Sequence, residues 1–567
     1  MKLKALPPRP YNIIFYTHTV SGVVLSALLY VVFFAGAFTL FREEFYPWEN
    51  PDVRALVMQE YDIKTLDVKT VMNAAQRKYP NINWDEEVRL VLPTHTDPRI
   101  MVNGQLTKSS NERTNEKTKR FSMKVHPIHS TVIDKQIDEQ ETAIGETLYQ
   151  LHFFEQIPIV GRYISGLTAL FFLFATITGV LIHWKNLASK FWSFSLADLP
   201  KYRTFDASSL KNGWKRIWSN AHTVFGLLGL PFQLMYAVTG AFYTLLVLIL
   251  LPSVLIFYNG DSQKVLHQVL PSPQYDSTSA YKDNSRELQA ALAHVQTTYS
   301  DHSVYIIRLK HFYRQDASAS IHLKSHDEQS FDRLGFVIVR LAEGTLLAES
   351  LPGKNKTYVQ SVINGIGTLH FANYGGILLK SAYFCMALFT CFVIVSGILL
   401  WREARKTKDY TPQQQQFHQR VTTAYLALCF GLFPAIPTLF AAELLIPRGI
   451  HYFHHVSWVN AVFFAAWFVF CVVGVLLQSE RRMLQWYLRY GGLIALTVPL
   501  VNGTMTGDWL WQTIARGQWY VVGTDMFWLL VGILTLWIQA FMGNTDNVIP
   551  SDAFNTVPTN EYQMIKG

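Results

Sequence analysis

Four histidines recur at matched places in this 567-residue chain: His18 and His222 in His-Thr-Val-x-Gly segments, His152 and His370 in Leu-His-Phe segments. Laying His18 on His222 at an offset of 204 also aligns Gly36-Ala37-Phe38 with Gly240-Ala241-Phe242. Laying His152 on His370 at an offset of 218 brings Gly179 onto Gly397, Leu181 onto Leu399 and Arg162 onto Lys380. Two equivalent imidazole pairs suit a metal that takes one nitrogen on each axial face. Zinc or copper passage would want carboxylates or thiols along the path, and the apolar segments around these histidines have almost no Asp or Glu. Haem asks for neutral imidazoles, an apolar slot and cations for its propionates. His18 with His222, and His152 with His370, are therefore candidate axial ligands of two b haems. Gly22 and Gly226 follow their histidines by one turn on the same helix face, where a missing side chain leaves room for a flat ring. Gly36, Gly179, Gly240 and Gly397 would give room near the other helix ends. Arg162 and Lys380 are candidates for the propionates. His183, whose repeat position is Trp401, is a candidate replacement for one inner ligand. The competing readings are interfacial histidines bonded to carbonyls, glycines that serve close helix packing, and cations that anchor to headgroups.

The elements that must carry these residues are membrane helices. Hydrophobic residues make up 50% of the chain and charged residues only 16%, too apolar for a soluble protein of this length. Eight segments of about 20 residues, enough to cross about 30 Å of hydrocarbon, fall near 19–41, 163–184, 223–250, 378–401, 421–445, 456–477, 488–506 and 524–542. The seventh, with Gly491, Gly492, Pro499 and Asn502, reads as a weak or re-entrant helix. Lys185, Lys190, Lys201, Arg203, Lys211, Lys215 and Arg216 crowd the loop at 185–222, and Arg402, Arg405, Lys406, Lys408 and Arg420 the loop at 402–420; Arg481, Arg482 and Arg489 continue the pattern. Basic loops stay cytoplasmic, so residues 1–18 and the tail 545–567 are expected inside, and the hydrophilic stretches 42–162 and 251–377 outside. The net charge of +8 is thereby topological and excludes nucleic-acid binding. The first span is longer than a signal-peptide core and reads as a retained helix. Cys385, Cys391, Cys429 and Cys471 lie inside spans without ligand spacing and read as packing residues.

Each outside stretch reads as a small α+β domain. In the first, Val68, Val71, Met72, Ala75 and Tyr79 predict a helix, and strands follow near 87–92, 100–102 and 121–125. In the second, Leu288, Leu292, Val295 and Tyr299 predict a helix, followed by strands at 304–309 and 319–323 and a hairpin over 336–347 about Glu343-Gly344. Residues 105–120 read as a mobile loop, and His126 with His129 as a possible surface metal site. A unit of helix, outside domain and helix thus occurs twice, related by a pseudo-twofold along the membrane normal. That puts His18 and His222 at inner helix ends and His152 and His370 near outer ones.

His18-xxx-Gly22 with Gly36-Ala37 and Arg42-Glu43-Glu44, then Leu151-His152-Phe153 and Thr178-Gly179-Val180-Leu181, resemble the PepSY-associated transmembrane family. Its remaining helices resemble Trp218-xxx-His222-xxx-Gly226, Thr239-Gly240, Leu369-His370 and Ser396-Gly397-Ile398-Leu399-Leu400-Trp401, so the resemblance covers about residues 12–402. It implies a mainly α polytopic bundle with two PepSY-like periplasmic domains, in a bacterial inner membrane, linked to iron uptake. Some relatives are b-haem oxidoreductases that reduce ferric siderophores, and the iron-chelate substrate comes from the resemblance alone. The chain departs from the pattern at His183 and in a four-span extension, 421–544. There Pro434 and Pro437 are expected to bend a helix, and Glu443 with His451, His454 and His455 to offer a substrate, quinol or further haem site, or plain interfacial residues. Trp509, Trp511, Trp519 and Trp528 read as an outer aromatic belt. No GxGxxG in a βαβ setting occurs, so the electron donor would be a quinol or another protein. Two rival readings are a siderophore permease subunit, which predicts uptake without haem absorption, and a regulatory or assembly protein that binds a partner through its outer domains, which predicts activity without His152 and His370.

Overall fold

The computed structural model describes residues 7–54, 66–107, 119–127, 132, 143–186, 207–262, 264–265, 280–352, 354–448 and 452–544. In the first unit, α1 (Pro8–Thr39) is followed by the short α2 (Arg42–Glu49) and α3 (Pro51–Arg54), then α4 (Val68–Lys78), strands β1 (Val88–Val91), β2 (Ile100–Gln105) and β3 (Arg120–Val125), α5 (Ile144–His152) and α6 (Val160–Ile182). The second unit repeats the order with α7 (Ala207–Leu228), α8 (Leu230–Phe257), α9 (Ser285–Thr298), β4 (His302–Lys310), β5 (Ser318–Ser325), β6 (Leu334–Arg340), β7 (Thr345–Ser350), α10 (Tyr358–Phe371) and α11 (Gly376–Glu403). The extension adds α12 (Pro412–Leu445), α13 (Tyr452–Leu476), α14 (Glu480–Thr506), α15 (Leu510–Ala515) and α16 (Trp519–Asn544). Among the described residues, seven helices (α1, α6, α8, α11, α12, α13 and α16) are long and apolar enough to cross a membrane. The chain is a multi-pass membrane protein. The weak seventh segment is one helix: α14 runs unbroken for 27 residues and is not among the seven that are long and apolar enough to cross. Its Gly491, Gly492, Pro499 and Asn502 are buried in the interface with neighbouring helices, where small residues let backbones approach.

The α1 helix and its repeat counterpart differ. α1 is continuous, whereas α7 and α8 meet at Gly229, and Pro231 lies in the first turn of α8. A proline there has no N–H to give the preceding turn, so the helix breaks. α1 packs on α6 and α11, α6 on α8, and α7 on α11, a four-membered ring with the repeated units on opposite sides.

The two hydrophilic insertions share one sheet. The strand order is β3-β2-β1-β4-β5-β6-β7, antiparallel throughout, and β1 of the first unit pairs with β4 of the second through Val88 opposite Leu309 and Leu90 opposite Ile307. Two separate small domains would each leave that edge strand open, an invitation to mispairing; joining them closes both edges. Alternation along the strands turns Val88, Leu90, Ile307, Leu309 and Ile321 onto one buried face, which α4 and α9 cover. The predicted strands and helices fall where expected, with Gly344 at φ +68° in the β6–β7 turn. Most of the expected loop, residues 108–118, lies outside the described residues.

The α2 helix wedges the first unit against the extension, touching α5 and α16. Glu49 at its end is fully buried and its Oε1 accepts the Gly145 N–H at 2.9 Å. Burial, and next the neighbouring Glu443, push Glu49 well above the usual carboxylate range. A carboxyl raised on folding stabilises most at low pH, and that contribution declines as pH rises from the ordinary carboxylate range through the raised folded value. Glu49→Gln keeps the acceptor and removes the titration. Its melting temperature is expected to match the wild type at acid pH and to exceed it increasingly as pH rises out of the ordinary carboxylate range, whereas Glu49→Ala orphans the Gly145 N–H and should cost about 1–3 kcal/mol.

Candidate functional site

Both predicted histidine pairs meet. The His18 and His222 ring centroids are 6.1 Å apart, and those of His152 and His370 are 6.0 Å apart. Two imidazoles on opposite faces of one metal, each nitrogen about 2 Å from it, have centroids about 6 Å apart.

The orientation of each ring is fixed by its other nitrogen. His18 Nδ1 is 2.9 Å from the Ala175 carbonyl and 3.3 Å from Thr178 Oγ1; His222 Nδ1 is 2.9 Å from the Val393 carbonyl and 3.3 Å from Ser396 Oγ. Ala175 and Thr178 map onto Val393 and Ser396 by the offset of 218 found in the sequence. A carbonyl only accepts, so Nδ1 carries the proton in both rings. His152 Nδ1 donates to the Val32 carbonyl at 2.7 Å. His370 Nδ1 is 2.8 Å from Thr239 Oγ1, whose own proton goes to the Met235 carbonyl at 2.7 Å, so it too donates. In all four rings Nε2 is therefore the nitrogen without a proton. Among the described residues none of these Nε2 atoms has a hydrogen-bond partner. This is the tautomer a metal-bound imidazole needs.

The glycines act chiefly on the rings. A Cβ at Gly36 would lie 2.6 Å from His152 Nδ1, one at Gly179 3.1 Å from His18 Cε1, and one at Gly397 3.0 Å from His222 Cε1. Gly240 is looser, 4.0 Å from His370 Cε1. A Cβ at Gly22 would meet nothing within 4 Å, and one at Gly226 only Val393 at 3.8 Å. These two leave open space beside the inner pair.

The outer pair sits in a cavity of about 330 Å³ walled by Phe33, Phe172, Tyr236, Phe153 and Phe371 as well as Gly36 and Gly240. Arg162 is at its mouth, half-exposed, 3.5 Å from Glu155 and over the Phe153 ring. Lys380 is elsewhere: its ammonium is paired with Glu44 at 2.7 Å and does not line the cavity. The repeat offset held for the backbone, but α2 supplied a carboxylate that captured this side chain. His183 caps α6 beside the inner pair, and its Nε2 is 3.2 Å from Thr223 Oγ1. It neighbours the clamp without entering it.

The turns that deliver His152 and His370 are tight. α5 ends at His152, and Gly161 opens the next helix where any Cβ would collide with the Phe154 carbonyl. α10 starts from a reciprocal Thr357–Gln360 cap and is reversed into α11 by Ala372, Gly375 and Gly376, all at positive φ. Along α1, His18 and the carbonyl that holds His152 are 14 residues apart, about 21 Å of rise. The pairs thus form two levels.

Residues 15–404 match the PepSY-associated TM region family. The chain belongs to that family. A protein of Pseudomonas aeruginosa described as uncharacterised is similar to it, with 23% identity over 409 residues, 70% of this chain and 95% of that protein. The family match ends where α11 ends, so the extension, α12 to α16, lies beyond it.

In the extension His451 and the side chain of His454 lie outside the described residues. His455 is buried with its Nε2 3.0 Å from Glu443 Oε1, which also takes Arg448 at 2.9 Å. Of the expected aromatic belt, Trp511 and Trp519 are exposed and Trp509 stacks on Trp511. Trp528 is not part of it: it is buried between Phe38 and Phe440 and joins the extension to α1. His126 follows β3, and His129 is outside the described residues. The sequence reasoning missed Thr178, Ser396 and Thr239 as ring-orienting residues. The signal was a hydroxyl immediately before Gly179, Gly397 and Gly240.

Proposed function

We propose that this PepSY-associated protein binds two b haems and passes electrons outward across a bacterial inner membrane to reduce a ferric chelate such as a ferric siderophore. The observation that carries the reading is the geometry of the two pairs: imidazoles about one metal's width apart, each held by its Nδ1 so that Nε2 is free. When bound, haem supplies one-electron chemistry at a potential set by its ligands and surroundings. The chain's own parts do the rest. The carbonyls of Ala175, Val393 and Val32 and the Thr239 hydroxyl hold the rings. The walls of the outer cavity are largely apolar, and Arg162 offers a cation among its lining residues. Both termini are read as cytoplasmic and the sheet as periplasmic, so iron(III) outside gains one electron and leaves its hard-oxygen chelator as iron(II). A quinol or a partner protein gives the electron.

The test uses the full-length protein in detergent. A dithionite-reduced minus oxidised spectrum is expected to show a b-type α band with about two haems per chain, and proteoliposomes charged with a quinol inside should yield ferrous iron outside. Protein without such a band after expression with ample haem would reject the reading. Uptake of intact chelate without reduction would favour a permease instead.

A further inference from the structure

Arg89 and Arg308 face each other directly across the β1–β4 ladder that joins the two units. They lie on the sheet face opposite α4 and α9, because Val88, Leu90, Ile307 and Leu309 take the covered face. Like charges in directly opposed positions repel, and little offsets them. Among the described residues the one ion pair is Arg308 to Glu87 at 3.8 Å, with the Glu87 side chain half-exposed. The Nε atoms of both arginines are buried without a hydrogen-bond partner. On the adjoining rung His322 pairs with Ile306, its ring 6.1 Å from Tyr305 and 6.0 Å from Phe336, its Nε2 3.4 Å from Ser320 Oγ. Burial, then the two guanidiniums, hold His322 down to about 4, so it is neutral. Burial likewise raises the Tyr305 phenol, which keeps its proton. Tyr305 falls at the irregularity in the β4–β5 register, which turns an extra side chain toward this spot.

The result is two under-compensated guanidiniums beside aromatic and hydroxyl groups, with donors in excess of acceptors. We infer that Arg89, Arg308, Tyr305 and His322 form a binding site for an anionic, oxygen-rich iron(III) chelate. The inference rests on the reductase reading for the identity of the metal, and on the sheet alone for the charge of the ligand. A bare tetrahedral oxyanion would use the guanidiniums and leave the faces of Tyr305 and Phe336 idle; a chelate whose carboxylate or catecholate arms carry carbon between their oxygens uses both. The same sheet is fastened to α10 and to the segment before it, through Asn364 to the Leu334 carbonyl and Lys356 to Asp332, and α10 carries His370. Ligand held there is on the sheet that α10, the helix of His370, is bonded to.

Gallium(III) citrate, redox-inert, is the probe: calorimetric titration into full-length detergent-solubilised protein at fixed ionic strength. The Arg89→Gln/Arg308→Gln double variant is expected to bind at least about 10-fold more weakly, and Tyr305→Phe several-fold more weakly. Removing opposed like charges should leave the melting temperature unchanged or higher, which separates lost binding from lost fold. An unchanged dissociation constant in both variants overturns the site, as does displacement of the probe by an equal concentration of inorganic phosphate. The titration reads no haem. A colourless protein that binds the probe through these residues therefore fails the reductase reading and not the site, and a haem-loaded protein that ignores the probe fails the site alone.

Discussion

His152→Ala and His370→Ala are each expected to halve the α-band amplitude of the reduced protein and to lower ferric reduction by about 100-fold or more, because one axial nitrogen cannot hold a two-nitrogen site. His18→Ala and His222→Ala should remove the other half and stop transfer from the inner side. The four variants must fall into two spectroscopic classes, outer and inner, as the two centroid distances of 6.0 and 6.1 Å pair them. A finer test is Thr239→Val, which leaves the His370 Nδ1–H without its acceptor at 2.8 Å. Loss of a group that orients a metal-bound imidazole costs about 10–100-fold in affinity, so haem retention on dilution should drop while the unliganded fold persists. Four single variants with undiminished spectra would sink the assignment, and equal loss of both bands in every variant would show unfolding instead of ligand removal.

Arg54→Ala is expected to have the largest effect on stability. The Arg54 side chain is almost fully buried at the end of α3, where it donates to the carbonyls of Pro47 and Trp48 and to Asn502 Oδ1 at 2.8 Å, and meets Asp508 at 3.2 Å. Asn502 in turn donates to Asp525 at 2.9 Å, and Asp525 accepts Trp48 Nε1 at 2.8 Å. These groups tie the loop after α1 to α14 and α16, so the family unit and its extension are one folded body here. Removing one partner of a buried, hydrogen-bonded charge pair costs about 3–5 kcal/mol because the other is left uncompensated. The readout is the apparent melting temperature in detergent at fixed scan rate, and Arg54→Ala should release the extension first, seen as early protease cuts between α11 and α12. An Arg54→Met/Asp508→Leu double variant, which removes both charges, is expected to recover part of the loss. A melting temperature unmoved by Arg54→Ala would mean the contact carries no weight.

Much of the architecture was written in local pattern. Apolar segments of bilayer length, basic loops, and period-2 alternation in the outer domains are properties of neighbouring residues, and they gave the spans, the strands and the duplicated unit. The two constant offsets even paired the histidines correctly, since duplicated helices related by a twofold bring like residues to equal depth. What the chain could not reveal alone were contacts between elements far apart in sequence. The edge pairing of β1 with β4 depends on where two domains dock, so one sheet of seven strands was read as two small domains. Lys380 shared its repeat position with Arg162, yet α2 set Glu44 beside it, and an ion pair formed where a free cation was expected. Trp528 had the composition of an interfacial residue, and only the packing of α16 against α1 buried it. The same limit applies to the rings: sequence placed four imidazoles at two levels, but which nitrogen each would offer was decided by carbonyls and a hydroxyl on other helices, because a tautomer follows its hydrogen-bond partner and that partner exists only after folding.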